Sequence, residues 1–502
     1  MEIRITSYYD AILREKHSAL SDNECEDLDL KEFFLAVDYT SSCVGRQYLY
    51  SLLRCGEVSD VGKHEMLIDR LSSDSTLRAK LIAILSKLKN QDAYNIASLL
   101  SEKMPTPSSR KLLLLNVSRF LPFLFIGIAL LTHVWSWLLG FAVAFIVNLI
   151  LHYGSKKHIY QHYFSIPQFL RMLRQMDLLV KEPAFVSVDK EIVHTLDRLQ
   201  TLRKQLRYFN MSIRLDNDAA ILAYLISELL NIFFLTEAYL TNKALILFNG
   251  KGKEIRNVFC YWGLLDVLCS VSLLREELPY YCLPSNPTSG ARLCGTGLYH
   301  PLIKNAVAND VVVYDKSVLI TGSNMSGKTS FIRTVGISLL SAKVLHTCFA
   351  RKLAVSIGIR ILSAIRVADN LPEGKSYFLR EVEQIKDMID SVSGLPCLFL
   401  LDEPFRGTNT KERIAIGKAV LSALAKENNI VFVSSHDLEL CRLLDSEYDL
   451  YYFSESVKED KLSFDYQLKK GVSLESNAIK ILELYDYPPP IVQMAYDELN
   501  RI

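Results

Sequence analysis

Two patterns of hydrophobic positions divide the chain. Up to about residue 285, apolar residues recur every three or four positions, as in residues 49–53, which predicts amphipathic α-helices. Beyond residue 300 there are short continuous apolar runs, such as 397–401 and 430–433, which are typical of buried parallel strands. The pattern therefore predicts a helical first part and an α/β second part, joined at the proline- and glycine-rich residues 283–290.

A long uncharged stretch interrupts the helical part. Residues 120–151 contain no Asp, Glu, Lys or Arg. Because a membrane-spanning helix needs about 20 apolar residues, residues 112–131 and 134–153 are each long enough to cross a bilayer. The turn between them contains two tryptophans, and basic residues flank both outer ends, so we expect both ends to face the cytoplasm. We predict a transmembrane hairpin over residues 112–153. The alternative is a buried soluble hairpin.

A second apolar stretch, residues 219–247, differs because it carries charges. Glu228, Glu237 and Lys243 lie well inside it. Charged side chains at membrane depth are costly, so we interpret this stretch as a pair of core helices, with a third membrane span as the alternative. The preceding residues, 164–206, have mixed charge and helical spacing and are similar to a lever arm.

The strongest chemical motif lies at residues 319–330, after the β-branched run 311–314 and before an apolar, helix-like segment. It has the pattern Gly-x-x-x-x-Gly-Lys-Thr, in which backbone N–H groups surround phosphate oxygens at a helix N-terminus. The lysine reaches the β- and γ-phosphates, and the threonine hydroxyl ligates Mg²⁺. The pattern predicts ATP binding by Gly322, Ser323, Asn324, Met325, Ser326, Gly327, Lys328, Thr329 and Ser330.

Two further strand ends supply the polar groups that an ATPase needs. The run 397–401 ends in Asp402 and Glu403, and the run 430–433 is followed by His436. We assign Mg²⁺ binding to Asp402 together with Thr329, and orientation or deprotonation of the attacking water to Glu403. His436 is predicted to sense the γ-phosphate.

These segments resemble the MutS family of mismatch-repair ATPases. Residues 321–329, 401–409 and 434–440 are similar to its Walker A, Walker B and histidine-loop motifs, and residues 374–381 are similar to its signature loop. The chain departs from the family's usual residues at Ser323, Ser326 and Pro404-Phe405. These positions are next to the residues with predicted catalytic or metal-binding roles and are not among them.

The resemblance carries several expectations. It implies a homodimer with composite ATPase sites, in which Ser376 contacts the nucleotide of the partner subunit; a helix N-cap is the alternative role for this serine. It implies that residues 473–499 interlock two ATPase domains. Residues 38–49 are more weakly similar to the start of the family's helical core domain, and we expect no mismatch-binding domain before it. The family's Phe-x-Glu triplet occurs only at residues 453–455.

Composition and charge limit the classes of function that the chain can have. A length of 502 residues predicts two to four domains, and a formal net charge of +1 provides no overall attraction to DNA, so DNA contact requires a local basic patch. The ten cysteines form no Cys-x-x-Cys pair, which indicates reduced, cytosol-facing thiols and argues against a metal site with cysteine ligands. The polar N-terminal residues predict no signal peptide.

We therefore predict a helical MutS-like core domain interrupted by a transmembrane hairpin and followed by a P-loop α/β ATPase domain. The predicted ranges are 1–110 and 155–285 for the core and lever, 111–154 for the hairpin and 286–502 for the ATPase with its helical dimerisation element. By resemblance, the predicted function is ATP hydrolysis with Mg²⁺, coupled to binding of mismatched or structured DNA. A membrane-tethered nucleotide-dependent scaffold and an ABC-type transport ATPase are the alternatives.

Overall fold

A computed structural model of the protein describes residues 3–13, 19–100, 108–206, 226, 229–288, 290–323, 325–366, 377–392, 394–458, 461–472, 479, 482, 483, 485 and 487–499. Contacts between residues divide the chain into two compact units. The first contains Met1–Glu15, Tyr39–Ser51 and His64–Leu273. The second contains Lys16–Asp38, Leu52–Lys63 and Leu274–Ile502. Two N-terminal segments thus group with the C-terminal residues. The predicted domain ranges stay predictions, because a grouping by contacts does not test which ranges fold independently.

The helices follow one another through the first half and alternate with strands in the second. In chain order the α-helices are α1 (Ile3–Tyr8), α2 (Asp22–Asp27), α3 (Leu30–Val37), α4 (Cys43–Cys55), α5 (Glu65–Ser73), α6 (Ser75–Leu85), α7 (Ser109–Ser118), α8 (Leu121–Thr132), α9 (Trp137–Leu179), α10 (Pro183–Val186), α11 (Ile192–Gln205), α12 (Thr236–Phe248), α13 (Gly252–Glu277), α14 (Lys328–Val344), α15 (Tyr377–Asp390), α16 (Thr410–Leu424), α17 (Leu438–Leu444) and α18 (Pro489–Leu499). The predicted helical pattern of the first part is confirmed by α3 to α6.

All strands in the described residues lie in the second unit, and they form two sheets. They are β1 (Pro284–Ser285), β2 (Leu293–Leu298), β3 (Asn309–Val313), β4 (Ser317–Thr321), β5 (Lys352–Val355), β6 (Arg360–Ala364), β7 (Cys397–Asp402), β8 (Ile430–Ser434), β9 (Tyr448–Lys458) and β10 (Lys461–Lys470). One sheet has the order β1-β5-β2-β3, and the other has the order β10-β9-β4-β8-β7-β6. In the larger sheet all neighbouring strands are parallel except β10, which is antiparallel to β9.

In the first unit, a buried carboxylate organises the turn before α4. Asp266 on α13 is fully buried and accepts hydrogen bonds from the backbone N–H groups of Ser41 and Ser42, at 2.8 and 2.9 Å. The Ser42 hydroxyl also donates to Asp266 and accepts from the Trp262 indole N–H. A buried carboxylate is stable only when such donors surround it. This network therefore explains how the turn that leads into α4 is held.

The predicted hairpin consists of α7, α8 and the first part of α9. Two segments here, Arg110–Thr132 and Trp137–Gly154, are long and apolar enough to cross a membrane, as is Gly252–Glu277. In the most apolar part of each segment, only 22% of Arg110–Thr132 and 17% of Trp137–Gly154 is buried. In Gly252–Glu277 the buried share is 78%. Large apolar side chains are exposed along α7, α8, the start of α9 and the turn before α9, namely Leu113, Leu124, Leu131, Trp135, Leu139, Val143 and Ile150. An exposed apolar band of this size is unusual on a soluble protein.

The described part of the second apolar stretch packs on this hairpin. Leu235 and Ala238 form a buried cluster with Leu115. The Asn148 side chain donates to the carbonyl oxygen of Phe233 at 3.1 Å, two residues before the left-handed Leu235 that precedes α12. Residues 219–225, 227 and 228 lie outside the described residues, so the interpretation as core helices stays a prediction.

The strand that leads into the glycine-rich loop is β4, at the centre of the larger sheet. The β-branched run 311–314 was expected to be the strand that leads into the loop. Residues 311–313 belong instead to β3 in the smaller sheet, so that expectation is wrong. The run is apolar enough for either sheet, and local pattern does not determine which strands pair. The buried parallel strands predicted at residues 397–401 and 430–433 are confirmed, since these residues lie in β7 and β8, which are buried and pair in parallel.

Helix α14, which follows the loop, packs closely between β7 and the N-terminal segment of the second unit. A Cβ atom placed on Gly336 would lie 2.6 Å from Leu28 Cδ2 and 2.6 Å from Leu400 Cδ1. Both leucines are fully buried and have little room to move. Gly336 is therefore a position at which a close approach excludes any side chain.

We expect Gly336→Ala to destabilise the protein by about 1–3 kcal/mol, because the added methyl overpacks the core. Gly417→Ala is the matched control. A Cβ there would lie 3.6 Å from Leu440, at ordinary contact distance. Replacement of an interior helix glycine by alanine normally stabilises by about 0.5–1 kcal/mol. Melting temperatures of the two variants test this, and equal shifts for both would contradict the packing described here.

Candidate functional site

The glycine-rich loop connects β4 to α14 in the strand–loop–helix order that phosphate-binding loops use. Gly322 and Gly327 have φ values of 141° and 110°, a region that disfavours other residues. A Cβ on Gly322 would lie 2.8 Å from the carbonyl oxygen of Phe453. The loop therefore needs glycine at both positions, and Gly327 is placed directly before the first turn of α14.

Lys328 lies inside the loop rather than in solvent. Its ammonium group donates to the carbonyl oxygens of Gly322 and Ser323, each at 2.8 Å, and lies 3.8 Å from Glu403 Oε1. Burial lowers the pKa of Lys328, while the carboxylates of Glu403 and Asp402 oppose that effect. The ammonium is thus held by groups that phosphate oxygens are able to replace.

The next residue, Thr329, joins the helix to the end of β7. Its hydroxyl donates to Asp402 Oδ2 at 2.8 Å, and the Ser434 hydroxyl donates to Asp402 Oδ1. The register of the sheet explains this arrangement, since Asp402 pairs with Ser434 across β7 and β8. A hydroxyl and a carboxylate oxygen side by side are the hard ligands that Mg²⁺ prefers.

Glu403 forms a second cluster beside the first. Its carboxylate contacts His436 Nε2 at 2.5 Å and Arg406 Nη2 at 2.8 Å. Burial alone would raise the pKa of Glu403. The hydrogen bond from His436 and the charges of His436, Arg406 and Lys328 outweigh it, so the pKa lies below its ordinary value. Glu403 is therefore ionised at neutral pH.

The backbone after β7 is strained and is held from two sides. Glu403 and Phe405 both have left-handed φ values, 48° and 67°. The backbone N–H of Glu403 donates to the Ser434 backbone carbonyl at 3.1 Å, and that of Phe405 donates to Glu381 Oε1 at 2.5 Å. Glu381 lies on α15, and burial raises its pKa despite the backbone N–H groups around it. Such strain at non-glycine residues persists only where the surroundings fix it, often at functional sites.

A cavity of about 530 Å³ opens beside the loop. The residues that line it include Lys328, Thr329, Glu403, His300, Phe453 and Tyr466, together with residues 303–307 and Asn309. Tyr466 reaches it from an irregular position in β10, where Asn309 accepts from the backbone N–H of Leu468 at 2.7 Å. Burial lowers the pKa of His300 to about 4, so the ring is neutral at pH 7. The cavity therefore has both polar groups and aromatic rings in its lining.

Most of the predicted site residues meet at this place. The structure brings together Gly322, Ser323, Met325, Ser326, Gly327, Lys328, Thr329, Ser330, Asp402, Glu403 and His436. Asn324 and Ser376 lie outside the described residues, so their assigned roles stay predictions. The Ser323 hydroxyl, which replaces the family's usual proline, donates to Glu455.

Sequence reasoning missed several residues around the site. Arg406 and Ser434 were covered only as parts of the motifs at residues 401–409 and 434–440. Glu381, Phe453 and Tyr466 were given no role in the site, because they reach it through α15 and the β9–β10 hairpin. The signal that was available was the acidic end of the 376–381 pattern, which here accepts a hydrogen bond from the loop after Asp402.

The residues present fit ATP and Mg²⁺. The Ser326 hydroxyl is buried without a hydrogen-bond partner among the described residues, and it lies inside the glycine-rich loop. Thr329 and Asp402 present oxygen ligands, whereas nothing in the described part of the chain groups three or more His, Cys, Asp or Glu residues for a metal. Such a site suits a metal held partly by phosphates rather than by protein alone.

A parallel sheet with a glycine-rich loop between a central strand and a helix defines a class of α/β domains that hold phosphates at the helix N-terminus. Comparison with known proteins identifies the family within this class. Residues 318–502 match the family model described as MutS domain V. Residues 318–502 thus carry a MutS-family domain, as the motifs predicted.

Similar curated proteins carry the same family name. The chain is 27% identical to the DNA mismatch repair protein MutS of Natronomonas pharaonis over 248 residues, which are 47% of this chain and 28% of that protein. It is 28% identical to the MutS proteins of Clostridium botulinum (strain Hall) over 252 residues and of Clostridium novyi over 263 residues. These alignments cover 47% and 50% of this chain, and 27% and 29% of the two relatives. The chain thus matches less than a third of the length of these relatives.

Proposed function

We propose that this chain is a membrane-anchored, MutS-like ATPase that couples ATP binding and hydrolysis to the binding of DNA. The observation that carries the ATPase part is the meeting of Lys328, the Thr329–Asp402 contact and the Glu403–His436 contact at one edge of the sheet. The names of the curated relatives support the DNA part, which rests on resemblance.

Each residue has a distinct part in the proposed mechanism. On nucleotide binding, Lys328 exchanges its two loop carbonyls for phosphate oxygens. Thr329 and Asp402 would hold Mg²⁺, which would supply positive charge to offset that of the phosphates. Glu403, ionised and oriented by His436 and Arg406, positions a water and accepts its proton. His436 Nε2 lies 3.4 Å from Lys328 Nζ, beside the lysine that faces the phosphates, and its proposed role is to sense the γ-phosphate.

We expect Lys328→Ala to weaken ATP binding, because it removes the charge that faces the phosphates. Glu403→Gln should retain ATP binding, whereas its turnover should fall by about 10²–10⁴-fold. Fluorescent-nucleotide binding and phosphate release measure the two effects. Lys386→Ala is a matched control, since Lys386 pairs with Asp390 on the exposed face of α15. A scaffold that binds nucleotide without turnover would show binding and no phosphate release in the unmodified chain. Normal hydrolysis by both site variants would exclude this site.

The proposal includes a homodimer with composite sites, in which Ser376 acts on the partner's nucleotide. This part rests on the resemblance, because Ser376 lies outside the described residues. Mixing Ser376→Ala with Lys328→Ala subunits tests it. If Ser376 acts across the interface, the mixed dimer contains one intact site, and activity rises above that of either homodimer. Activity no higher than the average of the two homodimers would instead place Ser376 in its own subunit's site.

The proposal places the hairpin in a membrane, with the rest of the chain in the cytoplasm. The exposed apolar side chains of α7, α8 and the start of α9 support this location, together with the basic residues at both ends of the hairpin. A soluble environment would leave this surface in contact with water.

Accordingly, the full chain is expected to remain in the membrane fraction after high-salt and carbonate washes, since apolar burial rather than charge holds it there. Deletion of residues 112–153 should give a chain that is soluble without detergent. The deletion variant must retain nucleotide binding to show that the rest of the chain is folded. Recovery of the intact chain in the soluble fraction would refute the membrane location.

A further inference from the structure

We propose that Asp29, in the N-terminal segment of the second unit, is a positioning residue of the ATPase site. By holding the guanidinium of Arg333, it keeps that charge away from Asp402, so that Asp402 remains available to Mg²⁺. The inference rests on the proposed function and adds to it a residue far from the phosphate-binding motifs in sequence.

The segment that carries Asp29 is fixed to the sheet by a buried carboxylate. Asp27, at the end of α2, is fully buried and accepts hydrogen bonds from the Ser363 hydroxyl at 2.7 Å and from the backbone N–H groups of Ile365 and Arg366 at 3.0 and 2.7 Å. Since these donors lie at and just beyond the end of β6, Asp27 sets the position of the segment on the sheet. Leu28 then packs against α14 at Gly336.

Asp29 follows in a left-handed conformation, with φ of 48°, immediately before α3. Its carboxylate lies 3.1 Å from Arg333 Nη1 and 2.8 Å from Arg366 Nη2. The side chains of Asp29 and Arg333 are only 20% and 15% exposed. A pair this buried is screened by solvent and salt much less than a surface pair, so loss of either partner has a large effect on the other.

Arg333 lies on the face of α14 that meets the metal site. It follows Thr329 by four residues, so the two side chains occupy the same face of the helix. Thr329 donates to Asp402 from that face. Arg333 Nε is buried and has no hydrogen-bond partner among the described residues, so Asp29 supplies an ion-pair contact for a guanidinium that is otherwise poorly satisfied.

The charges around Arg333 determine what happens without Asp29. Burial lowers the pKa of Arg333, and the charge of Arg366 adds to that effect, whereas Asp29, Asp27 and Asp402 oppose it. If Asp29 is replaced by a neutral residue, Arg366 still repels Arg333. Asp27 already accepts hydrogen bonds from three donors. Asp402 is then the remaining carboxylate that attracts the Arg333 guanidinium. Arg333 is then drawn towards the group that the metal needs.

The test is the Mg²⁺ dependence of the full chain carrying Asp29→Asn. We expect several-fold more Mg²⁺ for half-maximal phosphate release, with affinity for metal-free nucleotide little changed. The metal affinity is measured without turnover in the Glu403→Gln background, by titrating Mn²⁺ in the presence of ATP and following it by electron paramagnetic resonance. Asp29→Asn should lower this Mn²⁺ affinity by the same several-fold factor.

A second substitution separates positioning from general destabilisation. Asp29→Asn/Arg333→Gln should recover a Mg²⁺ dependence close to that of the unmodified chain, because the competing charge is gone, whereas a merely structural defect would not be rescued. Asp60→Asn is the matched control, since Asp60 pairs with Lys63 on the surface. If Asp29→Asn does not fold, Arg333→Gln alone should leave the Mg²⁺ requirement unchanged or lower, and an increase would overturn the proposal.

The remaining outcomes are distinguishable. An unchanged Mg²⁺ dependence in Asp29→Asn, or a double variant no better than the single one, overturns the role of Asp29 and leaves the ATPase assignment in place. An unmodified chain that shows no Mg²⁺-dependent nucleotide binding or turnover overturns the proposed function, and this inference with it.

Discussion

The hydrogen bond between Thr329 and Asp402 is the contact on which the geometry of the candidate site depends. It joins the first turn of α14 to the end of β7, and the Ser434 hydroxyl at the end of β8 binds the same carboxylate. Parallel register makes this possible, because Ser434 is opposite both Ile320 in β4 and Asp402 in β7. Three strands therefore deliver their polar ends to one place, as expected for the carboxyl edge of an α/β sheet.

The residues that follow Asp402 extend this contact to other elements. Glu403 and Phe405 adopt strained backbone conformations, and Ser434 and Glu381 hold their N–H groups. Because Glu381 lies on α15, a shift of that helix would be transmitted to the loop that carries Glu403. Asp29 connects the N-terminal segment to α14 through Arg333 in the same way. The site is thus held by elements that are distant in sequence, and the proposed coupling of ATP state to conformation has contacts through which to act.

The parts of the site that depend on short-range pattern were predictable from the sequence. The glycine-rich loop, the acidic end of β7 and the histidine after β8 each form within a few residues, and buried-strand runs predicted which edge of the sheet would carry them. The pairing of strands was not predictable at that level. The run 311–314 is as apolar as β4, yet it pairs with β2 in the smaller sheet because pairing depends on the whole chain. Tyr466 and Asp29 are brought near the site by tertiary packing, and no local pattern marks them, whereas Glu381 closes a recognisable motif whose contact with the loop after β7 only the fold shows.

The central claim is that ATP at this site controls the binding of DNA, and the most direct measurement is DNA affinity as a function of nucleotide. Binding of the full chain to homoduplex, mismatched and branched DNA is measured with and without Mg²⁺ and ATP, at two salt concentrations, because contacts to phosphates weaken steeply with salt. The account predicts salt-sensitive binding whose affinity changes with ATP in the unmodified chain and in Glu403→Gln, but not in Lys328→Ala. DNA affinity that is the same with and without ATP, or no binding to any of these DNAs, would contradict it.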